Sequence, residues 1–205
     1  MSSVVQIGNA DAVRRVRRIQ TITIVWMTVE AAVSLFSAWR ANSPALLAFG
    51  GDSAIELLSA VIVLWSFNSG GNRERVQHRA ARIAAVLLFV LAAYVVAAAV
   101  FSFFGMVEPK PTRLGIVILI AAAIAMPWLA REKRRLSAMT GSAALRADAA
   151  ESALCAYLSL IALAGLLLNA VWHARWADPV AALIVVPLVV HEGIEAWRGK
   201  HCGCC

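Results

Sequence analysis

Residues 43–56 read Ser-Pro-Ala-Leu-Leu-Ala-Phe-Gly-Gly-Asp-Ser-Ala-Ile-Glu, an apolar stretch carrying two carboxylates, Asp52 and Glu56, four residues apart. At bilayer depth an acidic side chain costs about 2.5 to 3.5 kcal/mol on insertion scales, so acidic residues there mark functional sites. A spacing of i, i+4 puts both on one helix face with Cβ atoms about 5 to 6 Å apart. One helix can therefore present two oxygen ligands to a single cation. Gly50 and Gly51 just before Asp52 remove side-chain bulk and allow close helix contact.

A second stretch echoes the first. Residues 142–155, Ser-Ala-Ala-Leu-Arg-Ala-Asp-Ala-Ala-Glu-Ser-Ala-Leu-Cys, align with it without gaps, matching at Ser43/Ser142, Ala45/Ala144, Leu46/Leu145, Ala48/Ala147, Ser53/Ser152 and Ala54/Ala153. The same alignment sets Asp52 against Glu151 and Glu56 against Cys155. Both copies thus offer two candidate ligands at i, i+4, and the placement of these polar residues carries more weight than the identities in a chain this rich in Ala and Leu.

The rest of the chain is built to cross a bilayer. Of 205 residues, 61% are hydrophobic and the mean hydropathy is positive, above the apolar share of an ordinary soluble domain. Crossing an apolar core takes about 20 residues, and six runs qualify, near 19–40, 45–67, 82–105, 113–130, 143–170 and 178–197. The expected fold is an all-α integral membrane protein of six transmembrane helices over 19–197, with an N-terminal tail at 1–18, a tail at 198–205 and no room for a separate soluble domain.

A net charge of +7 does not indicate a nucleic-acid partner, because the basic residues sit at the span boundaries. Arg14, Arg15, Arg17, Arg18, Arg73, Arg75, Arg79, Arg82, Arg131, Lys133, Arg134, Arg135, Arg146, Arg198 and Lys200 fall on one side; Arg40, Lys110, Arg113 and Arg175 fall on the other. The positive-inside rule then puts both termini in the cytoplasm. The first eighteen residues hold no apolar core for a cleavable signal, so the first span is the expected targeting element. Trp39, Trp65, Trp128, Trp172, Trp176 and Trp197 fall at span ends, where an amphipathic ring prefers to lie, and only Trp26 is mid-span. A multi-pass protein of the inner (plasma) membrane is the expectation.

On this topology the second span enters from outside, so Asp52, eight residues past Pro44, lies about 12 Å down. The fifth enters from inside and sets Glu151, nine residues past Ser142, about 13 Å from the cytoplasm. The two approach the midplane from opposite sides, where inverted repeats of transporters place their substrate. Glu30, mid-way along the first span, is either a carboxyl bonded to a neighbouring helix or an accessory ligand or proton carrier. Asp148 can line the cytoplasmic approach. The basic run at 131–142 reads as a loop that signals topology. His191, Glu192 and Glu195 crowd the inner end of the sixth span, with His191 and Glu195 sharing a face. The ending His201-Cys202-Gly203-Cys204-Cys205 offers one imidazole and three thiols, which suit capture or buffering of a soft cation; the cytoplasm keeps such thiols reduced.

Asp52, Glu56, Glu151 and Cys155 make a set of three carboxylates and one thiol. Four ligands in tetrahedral array suit zinc, the thiolate favours zinc or cadmium, and the carboxylates leave iron, manganese or cobalt open. Without metal, four negative charges cannot persist in a low dielectric, so protons occupy the set. A divalent cation must displace them, which couples metal movement to proton movement.

These two ligand pairs, the six spans, and the runs 142–169 and 176–186 resemble the cation diffusion facilitator family over about residues 20–198. The resemblance implies zinc or related-cation export by proton exchange, with an Asp-x-x-x-Asp or His-x-x-x-Asp pair on the second span and His-x-x-x-Asp on the fifth. Here Asp52 keeps its identity, Glu56 replaces Asp, Glu151 replaces His and Cys155 replaces Asp. Members usually add a cytoplasmic metal-binding domain, so the chain resembles a short, transmembrane-only branch, and a homodimer is implied by analogy. The alternative expectation is a membrane metal sensor or carrier that binds without transport. An enzyme is not expected: no hydrolase motif such as HExxH occurs and no oxidoreductase domain accompanies the thiols.

Overall fold

A computed structural model describes residues 2–68, 73–140 and 143–198. They form six helices, α1 (Ser2–Ala41), α2 (Pro44–Asn68), α3 (Arg73–Phe103), α4 (Arg113–Thr140), α5 (Ala143–Trp172) and α6 (Ala177–Trp197), with no strand among the described residues. Five of them, α1 and α3 to α6, are long and apolar enough to cross a membrane, and the 25 residues of α2 extend about 37 Å at 1.5 Å per residue. The protein is a multi-pass membrane protein.

Three boundaries differ from the sequence expectation, one of them at α3, whose helix already begins at Arg73, well before the run expected from residue 82. The helix of α1 begins at Ser2, well before the first apolar run. The basic run after residue 130 is not a loop, because α4 continues through it to Thr140. Arg, Lys, Glu, Leu and Ala are all good helix formers, and only hydropathy falls there. The prolines behave as their positions dictate: Pro44 opens α2, where its missing N–H belongs to the first turn and leaves no bond unmade, while Pro127 and Pro187 lie inside α4 and α6 without ending them.

The helices pack as a ring in the order α1, α2, α3, α6, α5, α4 and back to α1, and α2 also reaches across to α5 and α6. Exchanging the first three helices for the last three preserves every one of these neighbour relations except that of α2 with α6. Because each half has three helices, α2 and α5 run in opposite directions through the centre, as an inverted repeat requires.

One end of the bundle is stitched by its turns. Ser43 caps α2 through its Oγ, which accepts from Leu46 N at 3.1 Å, and that hydroxyl donates to Asp178 at the start of α6. Asp178 also accepts from Ala45 N at 3.2 Å. In the turn after α3, Lys110 N donates to Ala41 O at 2.8 Å and Pro109 O accepts from Asn169 Nδ2 at 3.0 Å. The three turns at 41–44, 104–112 and 173–176 therefore share one end, and the N-terminus of α1 and the C-terminus of α6 lie at the other. Trp39, Trp128, Trp172, Trp176 and Trp197 are exposed on the bundle surface, while the side chain of Trp65 lies outside the described ones.

Small residues let the helices meet closely, as in other membrane bundles. A Cβ added to Gly165 of α5 would stand 2.5 Å from Ala181 Cβ and 3.1 Å from Ala177 O on α6. At Gly51 the nearest atoms belong to the movable Leu91 side chain. Gly165→Ala is therefore expected to lower the thermal unfolding midpoint of the purified protein, by an overpacking cost of roughly 1 to 3 kcal/mol. Gly51→Ala should change it much less, and equal shifts would show that the α5–α6 contact is not tight.

Candidate metal centre

The central helices bring three of the expected ligands together. Asp52 and Glu56 of α2 and Cys155 of α5 each offer one ligand atom, and these atoms all lie within 4.8 Å of one another. All three residues are buried, Asp52 and Cys155 completely. Neither Asp52 carboxylate oxygen has a hydrogen-bond partner, nor does Oε1 of Glu56. A buried carboxylate oxygen without a donor forfeits its hydration with nothing in exchange, so the arrangement is stable only if a proton or a cation supplies the missing partner. The pair spacing follows from the helix repeat: residues four apart share a face, and the close packing of α2 on α5 presents Cys155 to that face.

Glu151, the fourth expected ligand, lies one turn before Cys155 and outside the close set. It is half-buried and stands within electrostatic range of Asp52 and Glu56. Cys155 is drawn instead toward Glu30, to whose Oε1 it donates at 3.4 Å. Glu30 is fully buried and its carboxylate is otherwise engaged: Trp26 Nε1 donates to Oε2 at 2.6 Å and Ser53 Oγ to Oε1 at 2.7 Å. Glu30 is thus bonded to Ser53 of α2 and to Cys155 of α5, itself a candidate ligand. This network ties α1 and α2 to α5 beside the candidate ligands.

Asp148 lies a further turn along α5 and is bound to other groups. Lys133 Nζ is 2.7 Å from its Oδ1, Gln20 Nε2 donates to its Oδ2 at 2.7 Å, and Lys133 Nζ also reaches Ser152 Oγ at 2.8 Å. Lys133, grouped with the basic loop on sequence grounds, is completely buried. His191 and Glu195 are exposed on α6 and are not brought to the centre. His201, Cys202, Cys204 and Cys205 lie outside the described residues.

Two residues at or near the centre escaped the sequence reading. Glu192 is buried and stands within electrostatic range of Asp52 and Glu151, although no hydrogen bond of normal geometry reaches Asp52. Its signal was present: Val185, Val189, Glu192 and Ala196 follow one another at spacings of three or four and form the buried stripe of α6, which His191 and Glu195 miss. Lys133 likewise continues the buried stripe of Met126, Leu129 and Leu136 on α4.

A family model described as the cation efflux transmembrane domain matches residues 21–198. No curated protein matches the chain.

Asp52→Asn should raise the thermal midpoint of the metal-free protein, since it removes a buried carboxylate without partners, while weakening zinc binding. Losing a supporting contact to a metal ligand costs 10- to 100-fold in affinity, so losing a ligand should cost at least about 100-fold. Calorimetric titration with thermal melts in parallel checks both, and a lowered midpoint with unchanged affinity would remove Asp52 from the ligand set.

Proposed function

Because the chain belongs to the cation efflux family, whose members move cations across membranes, we propose that it exports a divalent metal from the cytoplasm across the plasma membrane in exchange for protons, with zinc as the preferred cargo. The observation that carries this reading is the convergence of Asp52, Glu56 and Cys155 ligand atoms within 4.8 Å, with three carboxylate oxygens lacking any donor, at the middle of two oppositely directed helices.

The chemistry follows from the donor set. Two carboxylates and a thiolate more than offset the charge of a divalent ion and match zinc or cadmium better than magnesium or calcium, which take oxygen ligands in larger number. Glu151 completes a fourth position when α5 turns its inner carboxylate toward the ion. Metal and protons compete for the same oxygens and the same sulfur, so loading the metal releases protons and loading protons releases the metal. If α2 and α5 open the centre alternately to each side, the competition alone couples the two fluxes, since each ligand biases the conformation it binds better. The basic residues clustered at the end that bears both termini support orienting that end toward the cytoplasm.

Proteoliposomes under a pH gradient test the reading. Zinc uptake should proceed with a matching change in lumen pH, and both should stop in Asp52→Ala and Glu151→Ala. Zinc binding without flux in the unaltered chain would instead favour a membrane metal sensor or carrier. Cys155→Asp should shift preference from zinc and cadmium toward manganese, because replacing the soft sulfur with a hard oxygen removes the basis for selecting soft ions.

A further inference from the structure

Below the metal centre, three helices are joined by one ion pair that neither the ligand set nor the helix packing requires. Lys133 of α4 is completely buried although it stands among Arg131, Glu132, Arg134 and Arg135, and a buried charge persists only when it is paired. Its ammonium bonds Asp148 Oδ1 at 2.7 Å and Ser152 Oγ at 2.8 Å, while Gln20 of α1 holds the second Asp148 oxygen at 2.7 Å. Asp148 precedes Glu151 by three residues on α5, hence by about 4.5 Å along the axis, on the side of the bundle away from the stitched turns. Asp148 keeps 21% of its side chain exposed, whereas Lys133 keeps none. Asp148 is thus nearer than Glu151 to the end that bears both termini, and it is partly exposed where its ammonium partner is not.

Resting on the transport reading above, we infer that Lys133 is a tethered cation that occupies the cytoplasmic mouth of the metal path, and that Asp148 is the first carboxylate a cargo ion meets, released to it only when the ion displaces the ammonium. The charge ratio makes this a selectivity device. At equal distance a divalent ion interacts with a carboxylate twice as strongly as an ammonium does, whereas a monovalent ion gains no Coulombic advantage over the lysine already there. Potassium, abundant in a cytoplasm, is thereby kept from a centre rich in carboxylates. Lys133 holds Asp148 through one charge-assisted bond and Gln20 through one neutral bond, so the mouth closes again as the ion moves inward to Glu151 and the displaced ammonium returns. Arg134 and Arg135 are exposed on the same helix and have no such role.

The test uses the full-length protein in nanodiscs and an amine-acetylating reagent, with the peptides read by mass spectrometry. Acetylation of Lys133 should rise several-fold when zinc is added and should not respond to potassium at a hundredfold higher concentration. Lys110, exposed in an outer turn, serves as the internal reference. Lys133 reactivity that ignores zinc, or that rises equally with potassium, overturns the inference without touching the transport reading. In proteoliposomes, Lys133→Met should make zinc uptake sensitive to competition by potassium, and Asp148→Asn should raise the half-saturating zinc concentration about tenfold. If both variants fold and lose only maximal rate, the pair is a brace and the inference fails. If either variant does not fold, the labelling of the unaltered chain decides. Absence of zinc flux in the unaltered chain would instead sink the transport reading, a result that the variants are not needed to recognise.

Discussion

Buried carboxylates without donors are the constraint around which this membrane protein is arranged. Asp52 has neither oxygen satisfied and Glu56 leaves one open, in a bundle whose surroundings are mainly Ala, Leu, Val and Ile. Such groups raise the free energy of the folded chain, and the helix packing has to make up the difference. It does so by setting α2 where it meets four other helices, α1, α3, α5 and α6. Close approach is possible because glycine and alanine line the contacts, so that dispersion and backbone proximity replace the hydrophobic driving force that lipid does not supply. The missing partners are of the kind that a cation or a proton can provide.

Polar groups elsewhere in the bundle are, by contrast, mostly satisfied, and they fall into distinct levels. At the stitched end, Asp178 ties the start of α6 to the start of α2 through Ser43 and Ala45. At mid-level, Glu30 gathers Trp26, Ser53 and Cys155. Nearer the other end, Asp148 is closed by Lys133 and Gln20. Each level joins helices from both halves of the chain. The bundle is thus braced at both ends and left unsatisfied in the middle.

Much of this was legible beforehand. Hydropathy located all six helices within a few residues at most ends, because a span through lipid must satisfy its own backbone and therefore declares itself as a long apolar run. It failed at Ser2, at Arg73 and beyond residue 130, where polar sequence stays helical and hydropathy falls. The i, i+4 spacing marked Asp52 with Glu56, because helix geometry alone sets that proximity, and it marked Glu151 with Cys155, of which only Cys155 joins the close set. The same rule put His191 and Glu195 on one face of α6, and that face is exposed, because two residues can share a face that looks outward. Reading the buried stripe of α6 would have selected Glu192 instead, and reading that of α4 would have moved Lys133 from a topology signal to the partner of a buried acid.

What the amino-acid sequence determined by itself was therefore the one-dimensional part: an all-helical membrane protein, its spans, its internal echo, its family resemblance and the helix that carries each acidic pair. These depend on local spacing and composition, which act within a single helix. Only the tertiary structure decided which faces meet. It set Cys155 against Asp52 and Glu56, left Glu151 a turn away, gave Glu30 three donors and closed Asp148 with Lys133. Those outcomes depend on the rotation and depth of one helix relative to another. They are fixed by where small residues allow approach and by which buried polar groups find partners, and no window along one helix contains either fact.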